Sequence, residues 1–247
     1  MPATKFHLEL DFNSHSDQHT EWYALKPETL HLLHDWMDTT TAPLTTHDVI
    51  NWLNKNNARV PDRDDGPAVI VKTADGAHKE EYFRNGLRHR DNGPALLETR
   101  YDGSHTEIYF QAGLRHRADG PAVIETGACG RYREEYLCKG ILHREDGPAR
   151  TETTADGTCI ERFYTEGRLH RADGPAIIET RDDGSRLEHY YLDGILGRAD
   201  GPAIVETKPN GRRTGQYCED GVPVSTARLP DITHIRGVSL YRSPAVK

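Results

Sequence analysis

The chain has 247 residues and a formal charge of −8, with 39 acidic against 31 basic residues. That length fits one or two domains, and that charge makes direct binding to nucleic acid through its phosphates an unpromising function, because such proteins are basic. Leu, Ile, Val and Phe together number only 47 of the 247 residues, so the expected structure is thin, one or two layers with little deep core.

Residues 1–60 do not repeat and read as a small α/β cap or domain. Lys5 to Phe12 alternates as a strand. Pro27 and Glu28 open a helix through Met37, with proline in the first turn and an acid beside it. Thr46 to about Asn54 reads as a second helix, carrying Val49, Ile50, Trp52 and Leu53. The histidines here, His15, His19, His31, His34 and His47, lack an H-E-x-x-H arrangement and read as ordinary surface residues rather than as metal ligands.

From 61 to 221 the chain is a tandem array. Gly-Pro-Ala recurs at Gly66, Gly93, Gly120, Gly147, Gly174 and Gly201, every 27 residues without insertion or deletion. With that glycine as position 1, alanine holds position 3 in all six copies and an apolar pair usually follows. Glu-Thr fills positions 6 and 7 in five, and glycine fills 11 and 21 in six. Position 15 is Glu in five copies, position 17 is aromatic in all six, and positions 24 and 25 are His-Arg in four. Proline suits a strand start, Asp-Gly a turn, and the second run ending in Tyr-Phe or Tyr-Tyr a pleated surface. Each copy therefore reads as strand, turn, strand ending at the position-21 glycine, then a longer polar loop.

The register stays open at this level. A two-residue Asp-Gly turn would set the glutamates of positions 6 and 15 against each other, which destabilises a sheet. A three- or four-residue loop with a bulge avoids the clash and is favoured. Six hairpins make twelve strands, more than a flat open sheet carries. The expected fold is mainly β: an elongated, twisted antiparallel sheet of six hairpin repeats with a small α-containing N-terminal region. From Val222 the pattern is lost, and residues 222–247 read as a cap or tail.

With its hairpins, aromatic and glycine positions and G-x-L-H-R-x-D-G-P-A loops, the array resembles the MORN repeat, and more closely its bacterial MORN-variant relatives. The period here is longer, and the glycine content lower, than in ordinary MORN repeats. The resemblance implies an extended sheet used as a protein-binding scaffold, and some bacterial relatives look like antitoxins or immunity proteins.

Six copies of His-Arg-x-Asp argue for structure rather than catalysis, since an enzyme needs one arranged site. The arginines at position 25 are expected to pair with acids of their own or the next copy, and the histidines to donate to loop carbonyls. The expected function is non-enzymatic: protein binding, as an inhibitor of antitoxin, immunity or anti-defence type that occludes a basic partner. The contact surface would be an acidic sheet face carrying Glu98, Glu125, Glu152, Glu179 and Glu206. The alternative is sequestration of a small anionic nucleotide in inter-repeat grooves lined by His89, Arg90, His116, Arg117, His143, Arg144, His170 and Arg171. No catalytic residue, cofactor, metal or membrane contact is expected. Cys129, Cys138, Cys159 and Cys218 form no C-x-x-C pair and read as reduced thiols, and with neither a signal peptide nor a membrane span visible the expected location is the cytoplasm. Departures stand out where Arg150-Thr151 replaces the apolar pair, Cys129 the turn aspartate and Gly197 the histidine.

Overall fold

In the computed structural model the chain divides into two compact bodies, Met1–Ala155 and Asp156–Lys247. The structure describes residues 6–11, 17–25, 27–39, 46–55, 63 and 65–229. His15 and the tail beyond residue 229 lie outside this set, as do the side chains of His19, His31, His34 and His47. The protein is mainly β, and its strands pair antiparallel in hairpin repeats.

In the first body the main sheet runs Phe6–Asp11, Gln18–Leu25, Val69–Lys72, His78–Glu81, Leu96–Thr99, His105–Ile108, Val123–Thr126, Tyr132–Glu135, Arg150–Thr153. The N-terminal region thus joins the repeats directly, with Gln18 opposite Lys72 and Glu21 opposite Val69. Helices Pro27–Thr39 and Thr46–Lys55 lie in sequence between those two strands. Pro27 occupies a helical first turn, where its missing N–H costs nothing. Asp48 and Lys55 sit at the helix ends their charges favour. Leu33 and Leu53 are buried, and Trp36 stacks on Trp52 with ring centroids 5.8 Å apart.

The long hairpin takes the bulged form in five repeats. The Thr73 N–H donates to Ala77 O and the Gly76 N–H to Thr73 O, which leaves a three-residue loop ending on a glycine at φ +89°. Only glycine adopts that backbone without strain. The same bonds close Arg100–Ser104, Gly127–Arg131, Arg181–Ser185 and Lys208–Arg212. Cys129 therefore does not break its turn, which closes through backbone alone. The extra loop residue sets position 5 opposite position 15, as in Ile70 with Glu80, Leu97 with Glu107 and Ile178 with Glu188. Glutamate faces an aliphatic side chain instead of another glutamate.

The second run differs from the sequence reading. In five repeats it does not continue to the position-21 glycine but breaks at the aromatic of position 17, whose N–H bonds the position-3 carbonyl of the next repeat, as in Tyr82 to Ala95 and Tyr190 to Ala203. A second, short hairpin follows, pairing Phe83–Arg84 with Leu87–Arg88 and, one repeat on, Phe110–Gln111 with Leu114–Arg115. Its two turn residues both have positive φ, 51° at Asn85 and 76° at Gly86, the geometry of a type I′ turn. Each of these repeats thus contains four strands rather than two.

In the second body the sheet runs Cys159–Arg162, Ile177–Thr180, Arg186–His189, Ile204–Thr207, Arg213–Glu219, Val222–Leu229. The last hairpin is long, with a register shift at Tyr217/Cys218. Its position 15 is Gly215 because a Cβ there would lie 2.7 Å from the Pro202 ring. Burial is shallow throughout. The position-3 alanines Ala68, Ala95, Ala122, Ala149, Ala176 and Ala203 are at most 1% exposed. A cluster of Ile108, Ala122, Val123 and Leu137 packs with Leu96, Phe110 and Leu142.

Candidate functional site

The G-P-A loop is built around the position-25 arginine. Arg90 lies 3.8 Å from the Tyr82 ring centroid, Arg117 4.1 Å from Tyr109, Arg144 3.8 Å from Tyr136, Arg171 4.0 Å from Phe163 and Arg198 3.8 Å from Tyr190. A planar guanidinium suits that stacking. Its Nη1 donates to the proline carbonyl of the same loop, as Arg90 to Pro94 at 3.2 Å and Arg144 to Pro148 at 3.3 Å. In two loops its Nε also donates to the last acid, Arg117 to Asp119 and Arg171 to Asp173. The position-1 glycine is required for room: a Cβ on Gly120 would sit 3.0 Å from the Arg117 guanidinium carbon, and on Gly147 3.2 Å from that of Arg144. Arg63 makes the same bonds, to Asp65 and Pro67, so the array's first loop begins before Gly66. The R-D-D-G-P-A string from Arg63 carried that signal.

Two of the position-24 histidines, His89 and His116, accept through Nδ1 from backbone, contrary to the expectation from sequence. The Ala112 N–H donates to His89 Nδ1 at 3.0 Å and the Lys139 N–H to His116 Nδ1 at 3.4 Å, each one repeat ahead. The Nε2 of His89 lies 2.8 Å from Asp91 Oδ1 and 2.9 Å from Arg84 Nη1. Asp91 is held at a pKa of about 2, chiefly by the Arg84 hydrogen bond and then by His89. His170 Nδ1 lies 3.2 Å from the Asp193 N–H and 3.0 Å from its carboxylate, and so can take either role.

Four of these residues, His89, Arg90, His116 and Arg117, line inter-repeat grooves. One of about 470 Å³ lies among Arg63, Tyr82, His89, Arg90 and Asp91, and one of about 530 Å³ among Arg90, Tyr109, His116, Arg117 and Asp119. The stacked arginines are already committed to ring and carbonyl, and Asp91 and Asp119 share the walls. In the same way Arg144 is held in the first body and Arg171 in the second.

The position-6 glutamates form a column along each body, but a compensated one. Glu98 pairs with Arg100 at 2.6 Å, Glu125 with Arg133 at 2.6 Å, Glu152 with Arg150, and Glu179 with Arg181 at 2.6 Å. Glu206 accepts from Thr214 at 3.4 Å. The Arg150 departure acquires a reason here: it lies opposite Glu135, which is buried, and beside Glu152. Glu81, likewise buried, is ringed by Lys79 and Arg88. Desolvation is the largest influence on its carboxyl and raises it, yet the hydrogen bonds from Lys79 and Arg88 hold it below the usual range. An open groove of about 390 Å³ brings Glu125 and Glu152 together with Arg100, Arg131 and Arg133. The face is therefore one of alternating charge rather than a bare acidic stripe.

The position-15 glutamates are also held from both sides on their strands. Glu80 lies between His78 and Tyr82, and Glu107 between His105 and Tyr109, while Glu188 takes Arg186. Burial and the Glu134 bond push the Tyr132 hydroxyl upward. Sequence reading missed the apolar residues that hold position 22 in every repeat except the fourth, where it is Arg168. Leu87, Leu114 and Ile141 in the first body, and Ile195 and Val222 in the second, are 50–62% exposed. Their signal was an apolar residue after the position-21 glycine in five of six copies.

Among the described residues no helix is long and apolar enough to cross a membrane, and no cluster of three His, Cys, Asp or Glu could hold a metal. The four cysteines are unpaired thiols. No protein-family model and no curated protein matches the chain. Among solved structures it is similar to the TCP10 domain of Danio rerio CPAP in complex with a peptide of Danio rerio STIL. The identity is 17%, over 68% of this chain and 97% of that one, and the TM-score is 0.17. A likeness at that score carries no argument.

Proposed function

We propose that this is a MORN-like, non-enzymatic protein-binding repeat protein that inhibits its partner by occlusion, in the manner of an antitoxin, immunity or anti-defence protein. The observation that supports this reading is the periodic column on the half-exposed sheet face. In the first body, Glu98, Glu125 and Glu152 repeat one carboxylate per two strands, about 10 Å apart, each with one oxygen held by an arginine. Side chains fixed by such pairs lose little entropy when a partner docks. The paired arginines refine the expected partner: its surface carries basic groups for the glutamates and acidic groups for Arg100 and Arg133.

The test is capture by the tagged chain from source-cell lysate, followed by the purified pair. Glu98→Lys/Glu125→Lys should lose the partner. Reversal of two exposed loop acids, Glu145→Lys/Asp182→Lys, should keep it. Equal retention by both variants would sink the proposed face. The alternative, nucleotide sequestration in the grooves, has in its favour the two grooves that carry His89, Arg90, His116 and Arg117. Against it stands the commitment of each guanidinium to a ring and a carbonyl. Calorimetry with adenosine triphosphate is expected to be silent, and heat from several equivalent sites would promote the alternative.

A further inference from the structure

In the first body the three short hairpins, 83–88, 110–115 and 137–142, are bonded into one ridge. The Gly113 N–H donates to Arg88 O at 2.9 Å and the Gly140 N–H to Arg115 O at 2.8 Å. The Ala112 and Lys139 N–H groups add bonds to His89 and His116. Leu87 packs so closely on the next tip that a Cβ on Gly113 would lie 3.2 Å from its Cδ2. These bonds hold the tips in fixed steps, so the ridge is preformed and loses little entropy when a partner docks.

The ridge is aliphatic and cationic. Leu87, Leu114 and Ile141 are each 50% exposed. They lie opposite Arg84, Gln111 and Cys138 in the hairpin pairs, and those residues are exposed as well. Apolar side chains repeated at one position form a patch rather than scattered surface residues. The three hairpins contain Arg84, Arg88, Arg115 and Lys139 and no aspartate or glutamate, in a chain of charge −8. Arg84 pairs with Asp91 and Arg88 with Glu81. The Arg115 and Lys139 side chains are exposed and, among the described residues, have no ion pair.

The period of the ridge selects its partner. One aliphatic side chain per repeat means one per two strands, about 10 Å apart. An α-helix with a heptad seam repeats every seven residues, about 10.5 Å. Each ridge residue then enters a hole of the seam as a knob, through three successive heptads. An extended strand returns the same face about every 6.7 Å and falls out of step. A polyproline helix turns in about 9.3 Å, but aromatic grooves bind it rather than an aliphatic ridge.

We infer that the short-hairpin ridge of the first body docks a partner helix with a heptad apolar seam flanked by acidic residues. Leu87, Leu114 and Ile141 fill the seam, and Arg115 and Lys139 meet the acids and set the choice of partner. The contact does not use the position-6 glutamates, so it stands or falls separately from the proposed inhibitory face.

The test is a fluorescein-labelled synthetic peptide of four heptads, with leucine at a and d and glutamate at e and g. Its anisotropy is followed with the full chain at about 0.1 M salt, where the Debye length is about 10 Å. Two control peptides carry lysine for glutamate, or the same residues with the seven-residue period broken. The acidic, periodic peptide alone should bind. Arg115→Glu/Lys139→Glu and, separately, Leu114→Gln/Ile141→Gln should each raise its dissociation constant at least about tenfold. Glutamate fits position 139, because Glu166 holds the equivalent turn position at the same φ of 50°, and unchanged thermal melts show the variants to be folded. Bound peptide should also slow alkylation of Cys138, on the ridge, and leave Cys129, in a long-hairpin turn, as reactive as before; both thiols are exposed. No binding of the acidic peptide, equal binding of either control, or binding without protection of Cys138 overturns the inference. Retention on phosphatidylserine vesicles that Arg115→Glu/Lys139→Glu abolishes, with the peptide unbound, overturns it in favour of a membrane surface.

Discussion

Five of the six repeats contain two regions under opposite constraint. In the G-P-A loop one guanidinium meets an aromatic face, a proline carbonyl and, in some copies, an acid, and the glycine beneath it has no room for a methyl group. In the short hairpin five residues away, the tip is exposed and its composition runs from F-R-N-G-L-R to Y-L-D-G-I-L. Where a guanidinium is already held on a ring and a carbonyl, a substitution leaves something unsatisfied. Where the tip faces water, only the turn backbone is constrained and charge is free to vary. The loop holds the array together and the tips give each step its own surface.

The comparison is broken most sharply at the arginine. Arg117→Ala removes the ring contact and the bond to Pro121 together, and should cost about 2–3 kcal/mol in urea unfolding. Arg117→Lys should recover less than half of that, since an ammonium cannot stack on the ring and fork to the carbonyl at once. Gly147→Ala comes next. It places a methyl 3.2 Å from the Arg144 guanidinium on a backbone at φ +146°, for an expected loss of about 1–2 kcal/mol. Combined with Arg144→Ala it should cost less than the sum, because the clash vanishes with the guanidinium.

The tip should respond in the opposite direction. Ala112 has φ 49° at a turn position where Asn85 has 51°, so Ala112→Asn should stabilise by about 0.5 kcal/mol. A thermal melt that moves downward would count against the type I′ assignment. The smallest effect is expected in the pH profile. The carboxyls of Glu80 and Glu81 are held below their ordinary value in the folded chain. Their stabilisation is therefore complete above about pH 4.5 and is lost as pH falls through their folded values. Glu81→Gln should flatten that acid limb, and an unchanged profile would mean that the Arg88 and Lys79 pairing contributes nothing.

Much of this was legible in the residues. The 27-residue period, the Asp-Gly turns and the Glu–Glu clash already favoured the bulged hairpin. The candidate residues of the grooves were likewise readable, since His89, Arg90, His116 and Arg117 recur in one loop. Their roles were not readable. Nothing in His-Arg-x-Asp states that the arginine stacks on a tyrosine eight residues earlier or that the histidine accepts from a backbone 23 residues later. Nor could sequence reveal that Glu98, Glu125 and Glu152 are neutralised, because Arg100, Arg133 and Arg150 come from three different repeat positions.

The short hairpin marks the boundary between the two kinds of knowledge. Sequence by itself determined the repeat, its length, the β character and the places where the backbone must turn, because those follow from local sterics and a fixed period. Tertiary structure alone decided where the second strand breaks. The position-17 amide is captured by the carbonyl of the next repeat's alanine, and the six residues after it pair with one another as a separate hairpin. That choice depends on a neighbouring repeat, and no single copy of the sequence contains it.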